Sequence, residues 1–350
     1  DGMLPAVKKE KKIYGIILWG IQLSSWGMLF TFPFTGYAFL SILFSTLFIF
    51  FSYLFSWQFA RDIMQSNATG PVKLLSVAAV VSLAVSSVGP FTLAYIMASH
   101  SGDAILFRDA LYTYLHFQYN GYFTLTVMAL FFHHKTKAAL QADWKKIRIF
   151  SILLTASVIP SLFLTLLWHG QQTVIRLLAY LGCILIFATL ISFFTLLPLL
   201  RKRISFQQRQ ASVLLTFSLI SFCIKMLLET GTIIPSLAHA VFGYRPVIIG
   251  FLHLVFLGLV SFYILSNYIE RKVFASGSGA GIAIAWFSFA IIFNELILLI
   301  EGLGLIMGYA QPIYGWLLWI AAILLFTGAI LLYRASKTGT AETTLELAAV

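Results

Sequence analysis

The chain has 350 residues, of which 60% are hydrophobic, 16% aromatic and only 10% charged. That composition excludes an ordinary soluble domain, and apolar runs long enough to cross ~30 Å of hydrocarbon recur throughout. The formal net charge of +11 does not argue for nucleic acid, because membrane proteins collect Lys and Arg on their cytoplasmic loops; the partner it implies is a lipid bilayer.

Residues 1–12 form a basic tail holding Lys8, Lys9, Lys11 and Lys12. No small-residue cleavage pattern follows, so no removed signal peptide is expected. Ten spans are predicted, at 13–31, 36–60, 73–98, 111–132, 147–168, 174–199, 211–236, 246–269, 281–308 and 312–333. The first two close into a helical hairpin around Pro33 to Gly36. With the N-terminus inside, Arg108, Arg176 and Arg245 alone fall outside and Lys225 within a span. The remaining 19 of the 23 basic residues are then cytoplasmic. Such asymmetry predicts N-in, C-in topology with an even number of helices; the expected location is a prokaryotic inner membrane. The expected fold class is therefore all-α: a polytopic bundle with a transmembrane domain over 13–334 and a cytoplasmic tail over 335–350. Cys183 and Cys223 lie inside apolar runs and read as small core residues. SGSGAG, from Ser276 to Gly281, reads as a flexible cytoplasmic turn.

Two stretches echo one another at an offset of 137 residues: RDALYTYLHFQYNGYFT from Arg108 and RPVIIGFLHLVFLGLVS from Arg245. Each has an Arg, a His eight residues on (His116, His253), a Gly five after the His (Gly121, Gly258), and a small hydroxyl residue three after that. Each also has an upstream His, His100 or His239. The echo predicts a parallel duplication of a four-helix unit over 73–199 and 211–334, with the first two spans as an addition. Parallel repeats form sites where they meet.

A polar imidazole inside an apolar run is costly without a partner. At 1.5 Å rise per residue, His116 and His253 lie roughly 8–12 Å below the outer boundary, the equal depth that two axial ligands of one haem require. Gly121 and Gly258 would let a bulky ring or another helix approach closely. Arg108 and Arg245 could pair with haem propionates or simply contact headgroups. Hydrogen-bonded core histidines, served by nearby hydroxyls such as those of Tyr112 or Thr124, are the competing reading. His133 and His134, at the cytoplasmic end of span four, read as interfacial, and His169 as a loop residue. Lys225, Glu229, Glu295 and Glu301 are intramembrane charges, hence a candidate proton or polar network. Lys225 and Glu229, one turn apart, are placed to neutralise one another. No phosphate loop, HExxH, hydrolase triad or CxxCH occurs, which argues against a hydrolase or a nucleotide-driven pump.

The segment YLHFQYNGYFTLTVMAL resembles the His-bearing second helix of haem–copper oxidase catalytic subunits, above all the nitric-oxide-reductase-like branch. GFLHLVFLGLVSFYIL looks like a second such helix, and NnrS-type haem-containing membrane proteins are a similar group. The resemblance implies His116 and His253 as iron ligands of a b-type haem between spans four and eight. The copper centre of those subunits needs a His-His pair on the outer side, whereas His133–His134 stands at the other face, so the implied relative binds haem without that centre. The expected role is electron transfer, sensing of small gases or support of a respiratory complex, with complex subunits or an outer-side redox protein as partners. Whether the chain is itself an oxidoreductase stays open. Two alternatives stand beside it. One is copper or another metal on His100, His116, His239 and His253. The other is a cofactor-free transporter or assembly factor in which Glu229 or Glu295 handles a proton.

Overall fold

A computed structural model describes residues 8–136, 144–169, 173–203, 206–274, 278–309 and 311–348. Among them every regular element is helical. Eight stretches are long and apolar enough to cross a membrane by length and composition, which makes the protein a multi-pass, all-helical membrane protein. Two of the ten expected spans are not among the eight, for separate reasons. The one at 111–132 is helical but diluted by His116, Gln118, Asn120 and several tyrosines. The one at 147–168 is a shorter helix, Trp144–Leu162, that opens with Lys145, Lys146 and Arg148.

The chain divides into two compact units, Asp1–Arg203 and Ile204–Val350. In the first, α1 (Lys8–Thr35) runs through Pro33 and turns at Gly36, whose φ of +58° favours a residue without Cβ. It then packs antiparallel on α2 (Phe39–Gln65). Gly20 and Gly27 receive the rings of Phe51 and Phe44, which a Cβ would overlap. This is the small-against-large packing that joins helices where no hydrophobic driving force exists between them. The third span breaks at Ser87 into α3 (Gly70–Ser86) and α4 (Val88–Ala98). A continuous helix follows: α5 (Ala104–His116), a π-helical segment (Phe117–Phe123) and α6 (Thr124–Thr136). α7 (Trp144–Leu162) and α8 (Thr173–Arg203) complete the unit. Beyond Pro160, α7 unwinds into i→i−3 turns from Phe163 to Leu167.

The second unit repeats the last part of that order. It comprises α9 (Arg209–Gly231), the short α10 (Pro235–Gly243), and α11 (Arg245–His253). A π-helical segment (Leu254–Ser261), α12 (Phe262–Glu270), α13 (Ser278–Ile306) and α14 (Ile313–Ala348) follow. Its core gathers Ala211, Leu214, Phe262, Leu265, Ile284 and Ile291. Cys183 is buried and Cys223 partly so. Of the turn expected at Ser276–Gly281, residues 276 and 277 lie outside the described residues, while Ser278–Gly281 are helical and open α13, so that part of the expected turn is the first turn of a helix. The end of the C-terminal tail also lies outside the described residues.

Candidate functional site

Each histidine of the repeated frame ends an α-helix and opens a π-helical segment: His116 before Phe117–Phe123, His253 before Leu254–Ser261. A π-turn widens the backbone and leaves carbonyls in need of partners, and such turns concentrate at functional sites. The repeated hydroxyl supplies one partner. Thr124 Oγ1 donates to Tyr119 O at 2.6 Å, and Ser261 Oγ to Phe256 O at 2.9 Å, each five residues back. The repeated glycines receive a neighbouring helix rather than a ring. A Cβ on Gly121 would overlap Ser82 of α3, and one on Gly258 would stand 2.6 Å from Ser221 Oγ of α9.

His116 is buried at 2% exposure. Its Nε2 lies 2.7 Å from the carbonyl oxygen of Val158 on α7, and its Nδ1 lies 2.9 Å from Asn120 Nδ2. A carbonyl only accepts, so Nε2 carries the proton and Nδ1 accepts from the Asn120 amide. In that tautomer neither nitrogen offers a lone pair to a metal. An axial haem ligand needs one, so His116 as it stands does not fit the ligand role expected of it. It matches the competing reading, a hydrogen-bonded core histidine, with Asn120 and a backbone carbonyl in place of the hydroxyls anticipated.

His253 reaches across to the equivalent helix of its own unit and meets different chemistry. Its Nδ1 is 3.1 Å from Asn294 Nδ2 on α13, and the same amide donates to Glu295 Oε1 at 3.2 Å. Asn294 is buried at 4% exposure, while His253 and Glu295 are half-buried. Among the described residues nothing hydrogen-bonds Nε2 of His253. The amide thus links an imidazole and a carboxyl well inside an apolar helix. Counting back 137 residues from Asn294 and Glu295 gives Ser157 and Val158. The first unit therefore holds no ionisable group at this level of α7.

The other expected site residues are dispersed. Lys225 and Glu229 form a 3.0 Å ion pair on α9, with side chains 2% and 6% exposed. Arg108 is exposed and lies over the Trp168 ring, its Cζ 4.6 Å from the centroid. That contact is a cation–π pair of ordinary interface type. Arg245 is exposed at the start of α11. His100 is an exposed turn residue with φ +49°. Its N–H bonds Met97 O, and the next N–H bonds Ile96 O, the left-handed cap that closes α4. His100 is therefore placed as a helix-end residue. The side chains of His239 and His169 lie outside the described residues. His133 and His134 stack edge-on at 5.6 Å. Glu301 stands near the end of α13, two turns from Glu295.

Among the described residues no three His, Cys, Asp or Glu side chains gather to hold a metal ion. No family model matches the chain, and no curated protein matches it in sequence. Sequence reasoning missed Asn120 and Asn294. Asn120 was legible as the i+4 partner of His116; Asn294, on another helix, carried no such signal.

Proposed function

We propose that the chain is a cofactor-independent, multi-pass membrane protein. In this reading its C-terminal unit handles a proton, coupled to movement of a solute, through Glu295 with His253 as its neighbour. The supporting observation is the Asn294 amide shared between the Glu295 carboxyl and His253 Nδ1. Ionisable groups inside a membrane are retained for proton or substrate paths, and this pair has a link that couples them. While His253 is neutral, Nδ1 accepts from Asn294. Protonating Nδ1 turns it into a donor, and Asn294 must then rotate to present Oδ1, withdrawing its N–H from Glu295. Charge on the imidazole thereby changes the hydrogen bonding of the carboxyl one residue along.

The haem reading keeps one favouring observation, the His253 Nε2 that no described residue engages. Ligation by His116 would first have to break two buried hydrogen bonds, to Val158 and Asn120. Purified protein reconstituted in liposomes with an interior pH-sensitive dye separates the readings. Proton flux above that of empty vesicles, falling about tenfold or more in Glu295→Gln, is the expected result, with no Soret band. A stoichiometric Soret band lost in both His116→Ala and His253→Ala overturns the proposal in favour of haem. Stoichiometric copper without that band overturns it in favour of the metal site.

A further inference from the structure

The C-terminal end of α13 is closed by backbone hydrogen bonds. Tyr309 N–H bonds Gly304 O at 2.8 Å and Gly308 N–H bonds Leu305 O at 3.1 Å, with Gly308 at φ +82°. This is a Schellman cap, in which a left-handed glycine lets the chain fold back over the last helical turn. Fold-back brings Tyr309 O to 3.0 Å and the Tyr314 hydroxyl to 3.9 Å from the place a Cβ would occupy on Gly304. Below the cap lies a cleft of about 320 Å³ lined by Glu301, Leu305, Tyr309, Gln311, Pro312 and Tyr314.

Glu301 Oε2 is buried and, among the described residues, has no hydrogen-bond partner. A buried acceptor left unpaired is costly, and a carboxylate oxygen more so. Among the described residues no Lys, Arg or His lines the cleft to supply the missing donor. Among the described residues the lining has one carboxyl and no further Asp, Glu, His or Cys, too few hard ligands for a divalent metal ion. What it does have is a carboxylate, two phenol rings and a side-chain amide, a set that suits an organic cation. An orphaned oxygen requires a hydrogen-bond donor. A quaternary ammonium has none, whereas a primary ammonium has three, which Oε2, a tyrosine hydroxyl and the Gln311 carbonyl can accept.

We propose that this cleft binds a primary ammonium group. The volume suits a group of ethanolamine size and not a whole lipid. Tyr309 of its lining, and Trp316 and Trp319 further along α14, are 68%, 68% and 61% exposed, as side chains at a membrane–water boundary are. The ammonium can therefore come from a lipid headgroup or from a soluble amine. Glu301 stands two turns along α13 from Glu295.

The test titrates the detergent-purified full chain with dioleoyl phosphatidylethanolamine and dioleoyl phosphatidylcholine, read by native mass spectrometry, with ethylamine as the soluble probe. One charge-assisted hydrogen bond of about 1.5–3 kcal/mol corresponds to tenfold or more. The expected result is about tenfold preference for the ethanolamine lipid, abolished by Glu301→Gln and reduced by Tyr314→Phe. Ethylamine binding without lipid preference, lost in the same variants, supports the ammonium site and assigns it to a soluble amine. Should Glu301→Gln fail to fold, Tyr314→Phe alone decides. Equal retention of both lipids with no ethylamine binding, or a preference that neither variant changes, overturns the proposal.

Discussion

His116 and His253 hold the same place in two repeated frames, yet their surroundings give them different work. His116 is locked between a backbone carbonyl and Asn120, two neutral partners that do not titrate. His253 shares its partner amide with a carboxyl. The ion pair on α9 follows the same division. Offset by 139 residues, as Ser221 is from Ser82, Lys225 and Glu229 correspond to Ser86 and Pro90. A buried charge stripped of its partner is far more costly than the loss of the pair. Lys225→Met alone is therefore expected to destabilise the protein by about 3–5 kcal/mol. Lys225→Met with Glu229→Leu is expected to recover most of that loss. Unfolding of detergent-solubilised variants with increasing SDS measures both. A double variant no more stable than the single would show that Glu229 is held by partners other than Lys225.

At the scale of elements, the π-helical segments and their glycines act as one device. The wider turn pushes backbone toward the neighbouring helix, and Gly121 or Gly258 gives it room against Ser82 or Ser221. Space that tight can be probed by one methyl. Gly258→Ala sets a Cβ against Ser221 Oγ, and overpacking of this kind costs about 1–3 kcal/mol. Adding Ser221→Gly removes the obstructing hydroxymethyl and is expected to restore most of the stability, although Ser221→Gly alone weakens α9. The thermal midpoint of the purified protein reports the effect, and equal midpoints for Gly258→Ala and the parent would mean that the contact yields freely. The repeat made these glycines legible in the sequence, as it did the hydroxyls of Thr124 and Ser261. The π-turn itself was not legible, because hydropathy follows a side chain's polarity and not a one-residue change in backbone pairing. Asn294 escaped for another reason: its partner His253 is set by packing of α11 on α13, to which local spacing is blind.

At the scale of the molecule, the sequence makes the class plain, while the number of crossings rests on two helices of mixed character. The continuous helix through His116 is diluted by the polar side chains that make it interesting, and α7 begins with three cations. If neither crosses, the protein has the eight stretches that pass on length and hydropathy. Both counts are even, so the termini lie on one side in either case and labelling them decides nothing. The segment from His133 to Lys146 does decide. With ten crossings it is cytoplasmic; with eight it stays on the outer side together with Asp103. Charge favours ten, because Lys135, Lys137, Lys145, Lys146 and Arg148 would otherwise stand on the face where positive loops are rare. With Cys183 and Cys223 replaced by alanine, a single Asp103→Cys is expected to react with a membrane-impermeant maleimide in intact spheroplasts. His134→Cys is expected to react only after permeabilisation. Labelling of both in intact spheroplasts would place the charged segment outside and reduce the bundle to eight crossings.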